Sequence, residues 1–174
     1  YRDSYFTRET KSNAHQANVV LDLTANKQHA FGISATVFVS PNKRFDNRAL
    51  SLNTNRQLQL DSTFPTSSAS NRNTSNIALN ASHTFSLANN ATQIVTQANY
   101  VTYSADREQG VVTNYFSPNG QQLRNNDFNT YGSQDNTIFT GQIDLSAPLT
   151  SGALDWGLKI SDITTSSAQE FFDQ

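Results

Sequence analysis

Residues 137–161 read TIFTGQIDLSAPLTSGALDWGLKIS. In the first arm, Phe139, Gly141, Ile143, Leu145, Ala147 and Leu149 share one parity, and Thr140, Gln142, Asp144 and Ser146 the other. In the second arm, Leu154, Trp156, Leu158 and Ile160 alternate with Asp155, Gly157, Lys159 and Ser161. Successive side chains of a strand point to opposite faces, so each arm has one apolar and one wet face. Two period-two arms joined by an X-Gly pair predict an antiparallel hairpin. Glycine readily supplies positive φ, so Ser151-Gly152 is the expected two-residue loop. That register sets Thr150 opposite Ala153, Ala147 opposite Trp156, Leu145 opposite Leu158 and Ile143 opposite Ile160. On the wet side it sets Ser146 opposite Gly157, and pairs Asp144 with Lys159 as a cross-strand ion pair.

The same design occurs earlier. In NVVLDLTANKQHAFGISATVFV, residues 18–39, Val19, Leu21 and Leu23 alternate with Val20, Asp22 and Thr24. Past a polar turn near Lys27, Phe31, Ile33, Ala35, Val37 and Val39 alternate with Gly32, Ser34, Thr36 and Phe38. A third copy begins at Asn76, with Ile77, Leu79, Ala81 and Phe85 on one parity. Short turns are expected at 26–29, 88–91 and 150–153, all on one rim. The intervening polar stretches 40–73 and 104–135, rich in Asn and Ser and holding Pro41, Pro65 and Pro118, read as long loops on the opposite rim. Within them, VVTNYFSPNGQQLRN (111–125) predicts a smaller hairpin turning at Pro-Asn-Gly, and residues 49–62 suggest another.

Short turns on one side and long loops on the other are the pattern of a bacterial membrane barrel. Arms at 30–39, 76–86, 137–148 and 153–163 meet the length of about 9–11 residues that a tilted membrane strand needs. The predicted fold is all-β: an antiparallel meander of transmembrane β-hairpins, part of a large outer-membrane β-barrel. Residues 1–174 form one segment with about six membrane strands. Leu21, Leu23, Ile33, Val37, Leu79, Ile143, Leu145, Leu158 and Ile160 are expected to face lipid. Trp156, Phe31 and Phe85, near the short turns, are expected to form an aromatic girdle.

Composition agrees. Hydrophobic residues make up 36% and charged residues 15% of the chain. A chain poor in both suits a disordered protein, a polar secreted β protein, or a barrel with a polar lumen. The net charge of −2 gives no electrostatic case for nucleic acid. There is no cysteine, hence no disulfide or thiolate metal site. No apolar run approaches the 18 or so residues of a membrane helix. The lack of any methionine predicts a processed or excised piece of a longer protein.

The phrases NVVLDLTANKQHAFGISATVFVSP and IFTGQIDLSAPLTSGALDWGLKIS resemble the barrel domain of TonB-dependent-receptor-like outer-membrane proteins of the Bacteroidetes type. In that family a strand ending D-(aromatic or Leu)-x-x-P-L turns into L-(aromatic)-x-G-x-K. Here the first is Asp144-Leu145-Ser146-Ala147-Pro148-Leu149. The second is Leu154-Asp155-Trp156-Gly157-Leu158-Lys159, with its aromatic one place later. The resemblance implies a barrel of about 22 strands around an N-terminal plug, placed in the bacterial outer membrane and taking up a nutrient. Its implied partners are outer-membrane lipid, a TonB-type energy-coupling protein acting through a plug not present in this chain, and an unknown nutrient ligand. The alternatives are a non-transporting barrel acting as adhesin or scaffold, or a secreted soluble β-sandwich for binding or adhesion.

No catalytic constellation stands out, so the chain is not expected to be an enzyme, and no cofactor is expected. His15, His29 and His83 are too scattered along the sequence to suggest a metal site. His29 reads as a solvated turn residue and His83 as an interfacial one. Lumen-facing candidates are Asp22, Asn80, Gln142, Asp144 and Lys159. Candidates for ligand contact in the loops are Tyr115, Phe116, Phe128 and Tyr131, which can stack on a sugar or siderophore or pack loop against loop. The loop charges Asp106-Arg107-Glu108 and Lys43-Arg44 read as solvated, with substrate capture as the sharper possibility.

Overall fold

The computed structural model describes residues 1–87 and 92–173. They form one sheet of seven strands: β1 (Arg2–Lys11), β2 (His15–Thr24), β3 (His29–Thr54), β4 (Leu60–Ser86), β5 (Gln93–Phe116), β6 (Gln122–Leu149) and β7 (Gly152–Asp173). Every pairing is antiparallel, and β3 to β7 follow one another across the sheet in chain order. β1 pairs with residues 44–53 of β3, and β2 with residues 30–39. These two are therefore halves of one strand position, which gives six positions in all. Among the described residues the sheet is open, since β1 and β2 do not pair with β7.

Strands run longer than the alternation suggests. The stretches 40–73 and 104–135 are not loops: ladder pairing continues through most of both. Only the five-residue tips 55–59 and 117–121 interrupt the strands at that end. Alternation between apolar and polar residues is the usual strand signal, and here both faces are polar, so it is silent. Backbone pairing to the neighbouring strand holds the extension instead. The prolines sit where the ladder tolerates them. Pro118 opens a tip turn, Pro41 lies in a bulge, and the β4–β5 register skips Phe64 and Pro65.

The two tips are superimposable in their bonding. Asn55 N donates to Gln59 O and Leu58 N to Asn55 O; Ser117 N donates to Gln121 O and Gly120 N to Ser117 O. The fourth residue of each tip is left-handed, Leu58 at φ 62° and Gly120 at φ 83°. At the opposite end, Asn26 Oδ1 accepts from the amides of Gln28 and His29 and closes the first short turn. The expected turn at 88–91 lies outside the described residues, but Leu87 N donates to Thr92 O on either side of it. Ser86 N donates to Gln28 O, so the flanks of these two turns share a rim.

The third short turn differs from expectation. Leu149 pairs with Gly152, so the loop is Thr150-Ser151 and Gly152 is a strand residue without positive φ. The register moves by two: Leu145 faces Trp156, Ile143 faces Leu158, Asp144 faces Gly157 and Gln142 faces Lys159. A shift of two keeps parity, so every side chain keeps its predicted face. This register suits the side chains it brings together: Asp144 lies over Gly157, where an added Cβ would sit 2.5 Å from Asp144 Oδ1 and push the carboxylate aside.

The nine residues expected to face lipid share one face of the sheet. Eight are exposed, from Ile143 at 37% to Ile160 at 68%, and Leu145 is partly covered. Among the described residues no second layer covers them, and Ala105 is the one buried apolar residue. The core of a soluble domain is absent because the sheet is itself a wall.

Candidate functional site: the polar face of the wall

The five lumen-facing candidates Asp22, Asn80, Gln142, Asp144 and Lys159 all fall on the face opposite the apolar band. Polar side chains bond there across the strands. Thr36 Oγ1 donates to Asn18 Oδ1 at 3.1 Å, Asn80 Nδ2 to Ser34 Oγ at 3.0 Å, and Asn99 Nδ2 to Thr140 Oγ1 at 3.0 Å. Asp144 does not face Lys159, and no ion pair joins them among the described residues. Gln142 Nε2 donates to Asp144 Oδ2 at 2.7 Å in its place.

The Asp144–Gly157 pair has a counterpart. Asp22 faces Gly32, where an added Cβ would lie 3.1 Å from Asp22 Oδ1 and 2.7 Å from Ser82 Oγ. On the other face the neighbours also correspond, Leu23 opposite Phe31 and Leu145 opposite Trp156. Two hairpins 100 residues and more apart thus repeat one device: an aspartate over glycine on the wet face, beside a leucine over an aromatic ring on the dry face.

Above the apolar band, β3 carries an extra residue. Pro41 and Asn42 together oppose Asn73, Asn42 is left-handed at φ 54°, and its amide donates to Asn73 Oδ1 at 2.9 Å. An extra residue reverses the facing of everything beyond it. Lys43 therefore turns to the wet face and Arg44 to the other. There Lys43 lies opposite Arg72, and Arg72 opposite Arg107, three cations in a row across β3, β4 and β5. Arg72 Nη2 donates to Tyr103 Oη at 2.8 Å; Arg107 donates to Ser70 Oγ at 3.2 Å and Gln109 Oε1 at 2.6 Å. The sequence did not reveal this row. Its members are 29 and 35 residues apart, and the bulge that phases Lys43 carries only Pro41-Asn42 as a signal.

The loop charges separate by face. Asp106 and Glu108 lie on the outer side and Arg107 on the wet side. Outside, Arg44 holds Asp46 at 2.8 Å; hydrogen bonding from Arg44 lowers the Asp46 pKa below the usual carboxylate range. Tyr131 donates to Glu108 Oε1 at 3.2 Å, which raises the phenol's pKa.

The four aromatic candidates are strand residues, not loop residues, and do not converge. Tyr115 and Phe128 lie on the wet face; Phe116 and Tyr131 lie on the other. Tyr115 packs edge-on against Phe64 at 4.9 Å and under Arg124 at 3.9 Å, and Tyr131 packs edge-on against Phe172 at 5.6 Å. The histidines are less scattered than the sequence suggests. His29 Nδ1 lies 3.0 Å from His83 Nε2, and Phe31 and Phe85 flank the pair on the apolar face near the short turns. Among the described residues, no group of three or more acidic or histidine side chains is placed to hold a metal.

No curated protein sequence matches the chain. Residues 86–174 match the profile of the outer membrane protein beta-barrel family. That stretch spans β5 to β7 and the second tip, and it contains the hairpin from which the fold was first read. The match removes the soluble β-sandwich alternative and gives the apolar band its solvent, the lipid of the bacterial outer membrane. With one apolar face, one polar face and strands more than long enough to cross a membrane, the chain belongs to the outer membrane protein β-barrel family.

Proposed function

We propose that this chain is part of the wall of an outer-membrane receptor that takes up a nutrient by TonB-dependent transport, with the polar face lining the lumen. One observation carries the reading: the strands do not stop where the apolar band stops. β3 has 26 residues, about 85 Å at roughly 3.3 Å per residue. An apolar band about 25 Å tall, crossed at about 40°, uses only some ten of them. The rest stand outside the membrane as a continuous polar wall, a height that serves solute capture and that a passive pore does not require. The resemblance of residues 18–41 and 138–161 to receptor barrels supports the same reading.

The test is uptake by cells lacking the full-length protein, compared with cells lacking the TonB-type coupling protein. The expected result is that both lose the same nutrient and that restoring this protein restores it. Unchanged uptake across a panel of glycans, siderophores and cobalamins, with lost surface adhesion, would establish the non-transporting adhesin instead.

A further inference from the structure

Above the membrane band the two faces of the wall carry opposite charge. Within the paired registers, Arg2, Arg8, Lys43, Arg72, Arg107 and Arg124 fall on the wet face, against one acid, Asp173. On the outer face the acids Asp3, Glu9, Asp46, Asp106, Glu108, Asp127, Asp135 and Glu170 outnumber the cations Lys11, Arg44 and Arg48. Both ion pairs among the described residues, Lys11–Glu9 and Arg44–Asp46, are outside as well. The inner cations are thus left with neutral partners: Ser51 for Arg2, Asn47 for Arg8, Tyr103 for Arg72, and Ser70 with Gln109 for Arg107.

The row Lys43–Arg72–Arg107 is the most costly part of this arrangement. Like charges directly opposite one another on neighbouring strands repel. The row continues into Gly132 and Gln169, so the side-chain wall drops away beside Arg107. A concavity of about 550 Å³ opens there, lined by Arg72, Arg107, Gln109, Thr130, Gln134 and Gln169 among others. Guanidinium groups beside amide and hydroxyl donors suit phosphate or carboxylate oxygens, which accept paired hydrogen bonds.

We infer that the Lys43–Arg72–Arg107 row and the concavity beside it form a binding site for a soluble anionic solute bearing phosphate or carboxylate groups. This rests on the polar face being the lumen wall, and not on TonB coupling. Binding that persists without uptake sinks only the transport reading; uptake without anion binding sinks only this one.

The experiment is calorimetric titration of the full-length protein in detergent with inorganic tripolyphosphate at low salt. Wild type should bind, and the affinity should fall as salt rises because the contacts are ionic. Arg72→Gln with Arg107→Gln should weaken binding at least tenfold, whereas Arg44→Gln on the outer face should leave it unchanged. Arg72→Lys with Arg107→Lys, which keeps the charge but not the paired hydrogen bonds, should bind more tightly than the glutamine pair and less tightly than wild type, which guards against a misfolded double variant. No binding by wild type overturns the proposal, as when acids elsewhere in the protein already neutralise the row. Equal losses from the inner and outer variants overturn it too, by showing nonspecific attraction.

Discussion

Residues 29–39 and 43–54 belong to the same strand, β3, and follow different rules. In the lower half, Phe31, Ile33, Val37 and Val39 alternate with Gly32, Ser34 and Thr36 because lipid lies on one side and water on the other. In the upper half, Arg44, Asp46 and Arg48 alternate with Lys43, Phe45 and Asn47, because water lies on both. The backbone conformation is common to both halves; only the solvent differs. A sequence pattern therefore reports the surroundings of a strand, not the strand itself.

The largest expected effect breaks or sustains that contrast directly. Leu79→Arg, at the middle of the apolar band, should cost about 2–4 kcal/mol when unfolding is followed in lipid vesicles, the range for a cation at the bilayer midplane. Ser67→Arg, on the same face of the same strand above the band, should change stability by less than about 0.5 kcal/mol. Equal costs would mean that the lower half does not lie in lipid.

A smaller effect probes the wet face of the lower half. Gly157→Ala should cost about 1 kcal/mol, because the new Cβ displaces the Asp144 carboxylate from its rotamer. Adding Asp144→Ser should recover most of it. Thermal midpoints of the single and double variants decide this, and additive losses would show that the carboxylate does not fill the glycine's space.

The tips of the upper half give a smaller change with opposite signs. Leu58 strains where Gly120 does not, since side chains disfavour left-handed φ. Leu58→Gly should gain roughly 0.5 kcal/mol, and Gly120→Leu should lose about 1 kcal/mol. Urea midpoints moving in the same direction for both would show that the tips are not equivalent.

The weakest effect is electrostatic. The Asp46 carboxyl is held below its ordinary pKa of 3.8, first by hydrogen bonds from Arg44. A lowered folded-state pKa gives stability that is present above the unfolded value and lost as pH falls through the folded one. Acid unfolding should thus be slightly less steep below pH 3.8 in Asp46→Asn than in wild type. The pair is exposed, so the difference should vanish in high salt. A difference that survives salt would point to a buried pair.

The parts legible in the sequence were those where solvent writes a pattern. The hairpins around Lys27 and Ser151 and the faces of Asp22, Asn80, Gln142, Asp144 and Lys159 followed from parity alone. Register did not, because a glycine beside a turn has two uses. Gly152 reads as the turn's source of positive φ, yet it is a strand residue, and Gly157 is the glycine that a cross-strand carboxylate, Asp144, lies against. The upper strands were missed because Asn, Ser and Thr on both faces look like loop. Lys43, Arg72 and Arg107 were not brought together, because neighbours across a sheet are remote in sequence and one unseen residue at Asn42 changes the phase.

That extra residue at Pro41-Asn42 acts on the wall as a slack loop acts on a rope. Pairing passes from Ser40–Thr74 to Lys43–Arg72 across it, so β3 takes up one more residue than β4 and still delivers Lys43 to the polar face. Losing Asn42 would let Pro41 alone face Asn73 and leave Lys43 opposite Arg72, whereas an uncompensated loss elsewhere in the strand would turn every later side chain to the opposite face. The joint thus absorbs the gain or loss of a single codon that a straight ladder does not tolerate.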